Sequence, residues 1–160
     1  MTIERARTAD LGALSAIDVL VVSRDRQDAI LAESVAADGC LVARDGDALA
    51  GYLTWDRGFF HRPFVRLLVV SHAHRRKGVG RDLVRAAERE AGTFGELFIS
   101  TEEVNAPMRA LLRAAGYEPS GSVEHINAPG NAELIFYKRL GLTAVRAMVT
   151  PDRRAISGDG

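Results

Sequence analysis

Three cations and two glycines stand together at Arg75-Arg76-Lys77-Gly78-Val79-Gly80. They lie between an apolar run, Leu67-Leu68-Val69-Val70, and an amphipathic segment that begins at Arg81. That order describes a strand, a basic turn and a helix opening at the turn. Glycine lets the backbone come close to a ligand and adopt unusual dihedrals. The first turn of a helix leaves N–H donors unpaired, with the positive end of the helix dipole behind them. The cationic side chains add to the same field, so the expected guest is a phosphorylated molecule.

Two common phosphate loops do not fit. A GxxxxGK string followed by Ser or Thr is absent, and the dinucleotide pattern GxGxxG would need a small residue where Leu83 stands. What remains is Arg-x-x-Gly-x-Gly after a strand. About 25 residues downstream, Asn105-Ala106-Pro107 opens a short segment that closes on Gly116-Tyr117. Between the two motifs, the carboxylates Glu102 and Glu103 stand where a strand should end.

The elements that must position these groups follow from periodicity. Residues 2–6 read as a strand. Thr8 is expected to cap a helix running to about Leu20, with Leu11, Leu14 and Ile17 on one face. A second helix spans about 26–37, with Gly39 as its C′ residue. Strands follow at 40–44 and 48–55, joined by Asp45-Gly46, a strong hairpin signal. Residues 64–71 form the next strand, whose unbroken apolar run implies cover on both faces. A helix from Val79 to about Gly92 buries Leu83, Val84, Ala87 and Ala91. A strand at 96–101 precedes a helix capped by Asn105, with Met108, Leu111, Leu112 and Ala115 on one face. Two final strands, 117–125 and 133–139, form an antiparallel pair. The order is β-α-α-β-β-β-α-β-α-β-β.

Bulk properties suit one globular domain with a substantial core: 160 residues, 47% apolar and 26% charged. Net charge is zero, which argues against general nucleic-acid or membrane-surface binding, although Arg66, Arg75, Arg76, Lys77, Arg81, Arg85 and Arg89 crowd into one region. The single cysteine, Cys40, reads as a small buried hydrophobe. His72 and His74 have no third ligand in register and read as solvated loop residues, so no metal is expected. No signal peptide or membrane span is visible, and a cytoplasmic protein is expected.

The two motifs, in their order and spacing, resemble those of the GCN5-related N-acetyltransferases, the GNAT family. Arg75, Gly78 and Gly80 match its acyl-CoA-binding loop; Asn105 and Gly116-Tyr117 match its second signature. The resemblance spans roughly residues 2–140, which we read as one acyltransferase domain (1–140) followed by a C-terminal extension (141–160). It implies an α/β (mixed α+β) fold: a twisted mixed sheet of about seven strands flanked by four helices. It also implies that the fourth and fifth strands splay apart and admit the pantetheine arm of acetyl-CoA. The arm would bond the main chain of Leu68, Val69 and Val70. The pyrophosphate would take the amides of Arg76, Lys77, Gly78, Val79, Gly80 and Arg81, with charge from Arg75, Arg76 and Lys77. Asn105 would lie near the arm.

The acceptor implied is an amine of a small molecule or peptide. A free alkyl amine has a pKa near ~10 and must lose a proton before it attacks. Glu102 or Glu103 is expected to receive that proton or bind the cationic acceptor. One departure stands out. Where many members place a tyrosine seven residues after the Asn, to protonate the leaving thiolate, this chain has Leu112. A catalytically weak or inactive acyl-CoA sensor is therefore the alternative to an N-acetyltransferase. Trp55, Phe59 and Phe60 are candidates for an acceptor pocket, with aromatic packing the competing role. A homodimer is one open assembly state.

Overall fold

The computed structural model describes residues 1–17 and 24–141; the first helix, expected to run to about Leu20, ends at Ser15 with Ala16 as its C-cap, and the extension from 142 onward lies outside the described residues. Among the described residues seven strands make one sheet in the order β1-β2-β3-β4-β5-β7-β6. They are β1 (Thr2–Arg5), β2 (Cys40–Asp45), β3 (Ala48–Phe59), β4 (Arg62–Val70), β5 (Glu96–Glu102), β6 (Glu118–Val123) and β7 (Glu133–Arg139). Four α-helices accompany them among the described residues: α1 (Leu11–Ser15), α2 (Arg24–Ala36), α3 (Val79–Glu90) and α4 (Ala106–Ala114). The expected order and the mixed α+β class are both present. Every strand pair is antiparallel except β4 with β5, which run parallel.

Each face of the sheet has its own core. Leu53, Val65, Leu97, Ile99 and Phe136 pack with Val79, Leu83, Val84 and Ala87 of α3 and with Leu112 of α4. On the opposite face Val42, Tyr52, Leu67 and Val69 pack with Leu14, Ile30, Leu31 and Val35 of α1 and α2. Burial on both sides explains the unbroken apolar run of β4.

A bulge shapes the centre of the sheet. Thr54 pairs with Leu67 and the next residue, Trp55, pairs with Val65, so Arg66 is an extra residue in β4. A bulge bends its strand and increases local twist. It also moves the alternation by one position: Val65 belongs to the α3 core, while Leu67 and Val69 belong to the α2 core. Arg66 reaches Glu33 and Asp56, both at 3.2 Å. Below the bulge β4 pairs with β5 at Phe64–Phe98 and Val65–Ile99, and pairing goes no further.

Local differences from the sequence reading have physical causes. The 3₁₀ turn Thr8–Asp10 precedes α1, so Thr8 is inside a helical turn and does not cap it; the Arg7 N–H instead donates to Asp10 Oδ2 at 2.8 Å. The left-handed residue after α2 is Asp38 (φ 57°), not Gly39. Gly39 is needed for close approach, because a Cβ there would lie 2.3 Å from the Trp55 carbonyl oxygen. β3 runs on to Phe59 and β4 begins at Arg62 because Phe60 and His61 close a two-residue hairpin. Both have positive φ, 50° and 59°, as a type I′ turn requires. Neither is a glycine or asparagine, so the turn carries no sequence signal. Phe59 stacks on Phe64 at 4.9 Å and meets Phe98 at 5.3 Å, which holds the hairpin closed. Tyr117 is buried ahead of β6 rather than part of it.

Candidate functional site

Where β4 and β5 stop pairing, a small cavity of about 60 Å³ opens between them. Val65, Arg66, Leu67 and Leu68 line it from β4, Ile99, Ser100 and Thr101 from β5, and Asn105 and Met108 from the start of α4. Its floor is the last paired rung, Val65–Ile99. Above the bulge β4 keeps β3 on one side, with Leu67 through Val70 in register with Thr54 through Gly51. Among the described residues its other edge has no strand partner. An unpaired strand edge is a template for an extended, amide-bearing guest.

The strand leads directly into the basic turn. Arg76 (φ 61°) and Gly78 (φ 84°) both adopt left-handed backbone, and Gly78 is the N-cap of α3. Alternating left-handed residues ahead of a helix turn successive N–H groups inward as an anion-binding concavity. A Cβ on Gly80, one residue into α3, would fall 3.0 Å from Leu111 Cδ1 and under 4 Å from side-chain carbons of Val70 and Leu68. The missing side chain therefore keeps a groove open between β4, α3 and α4. Arg75, Arg76, Lys77 and Arg81 are exposed around it, while Val79 is buried in the core. Arg75 Nε reaches the Val70 carbonyl at 3.4 Å and Arg81 Nε meets Asp82 at 3.1 Å.

The turn is anchored on its strand side by His74. Ser71 Oγ lies 2.7 Å from His74 Nδ1, and His74 Nε2 is 3.4 Å from Asp45 Oδ2 in the β2–β3 turn. This corrects the reading of His74 as a solvated residue; its ring is 14% exposed. His72 is exposed as expected. Among the described residues no group of three or more His, Cys, Asp or Glu is gathered as a metal site.

Asn105 fills the role that its residue type suggests. Its Oδ1 accepts the Met108 N–H at 3.2 Å, capping α4, and the residue is one of those that line the cavity. Glu102 ends β5, half-buried, and its Oε2 accepts from Asn131 Nδ2 at 2.7 Å. Its cross-strand partner is Glu133, whose carboxylate accepts from Asn127 Nδ2 at 2.9 Å. Two carboxylates and two amides thus gather beyond the end of β5, at the β6–β7 connection. Glu103 is exposed, and its N–H donates to the Ala132 carbonyl at 2.8 Å.

Other candidates lie elsewhere. Phe59 and Phe60 belong to an aromatic cluster with Phe64, Phe98 and Tyr137, Trp55 packs against the α3 core, and none of Trp55, Phe59 and Phe60 lines the cavity. Burial pushes the Cys40 thiol up to about 12, so at neutral pH it is protonated and inert. Burial and the nearby Glu88 carboxylate also push the Tyr117 hydroxyl far up. Leu112 is fully buried. Sequence reading passed over Ser100 and Thr101, which line the cavity. The available signal was a polar residue continuing the buried alternation of Leu97 and Ile99.

The comparisons with known proteins agree with this geometry. A sequence model described as "Acetyltransferase (GNAT) family" matches residues 11–117. A GNAT-family acetyltransferase from Bacillus cereus ATCC 10987 superposes with a TM-score of 0.79 at 28% identity, covering 88% of this chain and 97% of that one. A ribosomal-protein-alanine N-acetyltransferase from Brucella melitensis gives 0.71 at 26% identity, covering 88% and 100%. The protein yncA from Salmonella typhimurium, solved with its cofactor acetyl-CoA, shares the fold with a TM-score of 0.71 at 22% identity, covering 89% and 95%. No curated protein matches. With the family match spanning most of the chain, and the sheet, the basic turn and the Asn-capped helix all in place, the chain belongs to the acetyltransferase (GNAT) family.

Proposed function

We propose that this protein transfers an acetyl group from acetyl-CoA to a primary amine of a small molecule or peptide. The observation that carries the reading is the unpaired edge of β4 running straight into the left-handed basic turn at α3. One continuous surface then offers main-chain partners for an amide-bearing arm and an amide concavity for a pyrophosphate. That is the pattern acetyl-CoA requires, and yncA, with the same fold, was solved with that molecule bound.

In this reading the main chain of Leu68, Val69 and Val70 bonds the pantetheine arm. The N–H groups from Arg76 to Arg81 hold the pyrophosphate. Arg75, Arg76 and Lys77 supply charge that ordinary salt screens only in part at contact distances. The reacting end then points down to the cavity above Val65 and Ile99, which has room for a few water-sized groups. Asn105 keeps α4 in place and presents its amide to the arm.

The amine enters from the end of β5, where Glu102 waits. Glu102 takes the ammonium proton or orients the cation, and Asn131 fixes the carboxylate while it does so. Glu103, one residue further and exposed, is the second candidate for this role. A peptide amine is one natural acceptor class, in keeping with the Brucella melitensis relative that is named for a ribosomal-protein alanine. A cytoplasmic place of work belongs to the same reading, since a lone buried thiol suits a reducing compartment. Among the described residues no helix is long and apolar enough to cross a membrane.

The test is release of CoA thiol that depends on an added amine, across a panel of polyamines, aminoglycosides and N-terminal peptides. With the best acceptor, Glu102→Gln is expected to lower kcat by roughly 10²–10⁴-fold, the usual range for a general base. The substitution keeps the shape that Asn131 holds. Unchanged turnover in Glu102→Gln would move the role to Glu103 or to water.

A second reading has one specific observation in its favour. Leu112 is fully buried in the core, so α4 brings no hydroxyl to the cavity from that position. Tight acetyl-CoA binding with no turnover on any amine of the panel would support an acyl-CoA sensor.

A further inference from the structure

On the reading that acetyl-CoA lies along β4, we propose that the Thr101 hydroxyl is the proton donor to the departing sulfur. Transfer forms a C–N bond and breaks the C–S bond. The sulfur leaves with the electron pair, and the amine nitrogen must shed a proton. The walls of the cavity offer few groups that can carry that proton between them. α4 lines it with Met108 and Asn105. Met108 has no acidic hydrogen, and the Asn105 amide is a very weak acid whose oxygen already accepts the Met108 N–H. Arg66 is held by Glu33 and Asp56, and a guanidinium is a poor proton carrier. The hydroxyls of Ser100 and Thr101 on β5 remain.

Strand alternation chooses between them. Leu97 and Ile99 point into the core shared with α3 and α4, so Thr101 emerges on that face and Ser100 on the other. The phosphate turn opens α3, and the position of Gly80 abuts Leu111 of α4. A molecule anchored at that turn therefore reaches the cavity from the α3–α4 face. Thr101 is on the approached side. It is 6% exposed, well shielded from bulk water, and is one of the residues that line the cavity. In such a site a hydroxyl hydrogen bond to a developing thiolate is stronger than in water.

The proton balance closes without a further reagent. In one concerted step Thr101 Oγ1 gives its proton to sulfur as the C–S bond breaks and takes up the proton shed by the amine nitrogen, directly or through one water, so that no alkoxide forms.

The test uses the full chain, CoA and acetyl-CoA. Thr101→Val keeps the shape and removes the hydroxyl; Thr101→Ser restores it; Ser100→Ala is the control. The first readout is ionisation of the bound CoA thiol, followed by its thiolate absorbance against pH. Bound to the unaltered protein, the thiol should ionise at lower pH than that of free CoA measured under the same conditions. Thr101→Val should raise that midpoint by about one pH unit, while Thr101→Ser and Ser100→Ala leave it in place. The second readout is turnover with the best amine, where Thr101→Val should lose roughly 100-fold in kcat. The KM for acetyl-CoA should stay within about twofold, since an interaction made only in the transition state leaves donor binding alone. An unshifted midpoint in Thr101→Val, or a shift in Ser100→Ala instead, would overturn the assignment. Failure of the unaltered protein to bind CoA at all would remove the donor reading, and this role with it. Normal CoA binding with no Thr101 effect would remove the role alone.

Discussion

Gly80→Val is expected to weaken acetyl-CoA binding by about 100-fold in isothermal titration, equivalent to roughly 2.7 kcal/mol. The cause is steric. A Cβ at this position would come 3.0 Å from Leu111 Cδ1 and lie within 4 Å of Val70 Cγ2 and Leu68 Cδ2. The two branched methyls of valine extend past that point, into the groove between the open edge of β4 and the first turn of α4. Leu111 is half-buried and its methyl is the far end of a flexible side chain, so the fold can yield. The groove cannot yield without closing on its guest. Affinity should therefore fall much more than thermal stability. Gly80→Ala should lie between the two, because Leu111 can move aside for a single carbon. Affinity within about threefold of the unaltered protein in Gly80→Val would show that the guest lies elsewhere.

Leu112→Ala is expected to have the opposite profile, with a loss of about 3 kcal/mol in stability and little change in turnover per folded molecule. Leu112 is 0% exposed and packs in the core with α3 and the β5–β7 strands. Truncating a fully buried leucine removes transfer energy and leaves a cavity, typically costing 2–5 kcal/mol. The urea midpoint should drop with an unchanged slope. The outcome bears on function as well. At a position where the family resemblance implies a tyrosine acid, this chain has placed a core residue. Chemistry that proceeds at a near-normal rate in Leu112→Ala would confirm that the proton comes from another side. A collapse of kcat with stability intact would put Leu112 at the reacting centre.

Much of this site was legible in the sequence because its parts are local. The turn at residues 75–80 announces itself by composition, and Gly78 does adopt the left-handed backbone that only glycine takes up cheaply. Asn105 caps α4 because a side-chain oxygen three residues before an unpaired N–H is a short-range matter. Element order followed from periodicity for the same reason. The features that were missed depend on the chain meeting itself. The bulge at Arg66 is a mismatch between two strands, invisible in either one alone. That bulge bends β4 where its pairing with β5 ends. The His74 anchor joins residues 29 positions apart through Asp45. The Phe60-His61 turn lacks glycine or asparagine and is held by stacking between Phe59 and Phe64. Glu102 was legible as a carboxylate at a strand end, but its link to Asn131 required β7 to lie beside β5. Thr101 illustrates the boundary. Its residue type was in plain view, and its meaning came only from the face on which it emerges.

The proposed chemistry depends on acetyl-CoA lying in the gap between β4 and β5. Titrating the ¹⁵N-labelled chain with acetyl-CoA, and following each backbone amide by NMR, tests it most directly. The largest shifts should fall on Leu68, Val69 and Val70 and on Arg76 through Arg81, with smaller ones at Thr101 and Asn105. The amides of β1 and β6, at the two edges of the sheet, should stay still. Shifts concentrated away from β4 and the turn at α3, or no shifts at millimolar acetyl-CoA, would contradict the assignment.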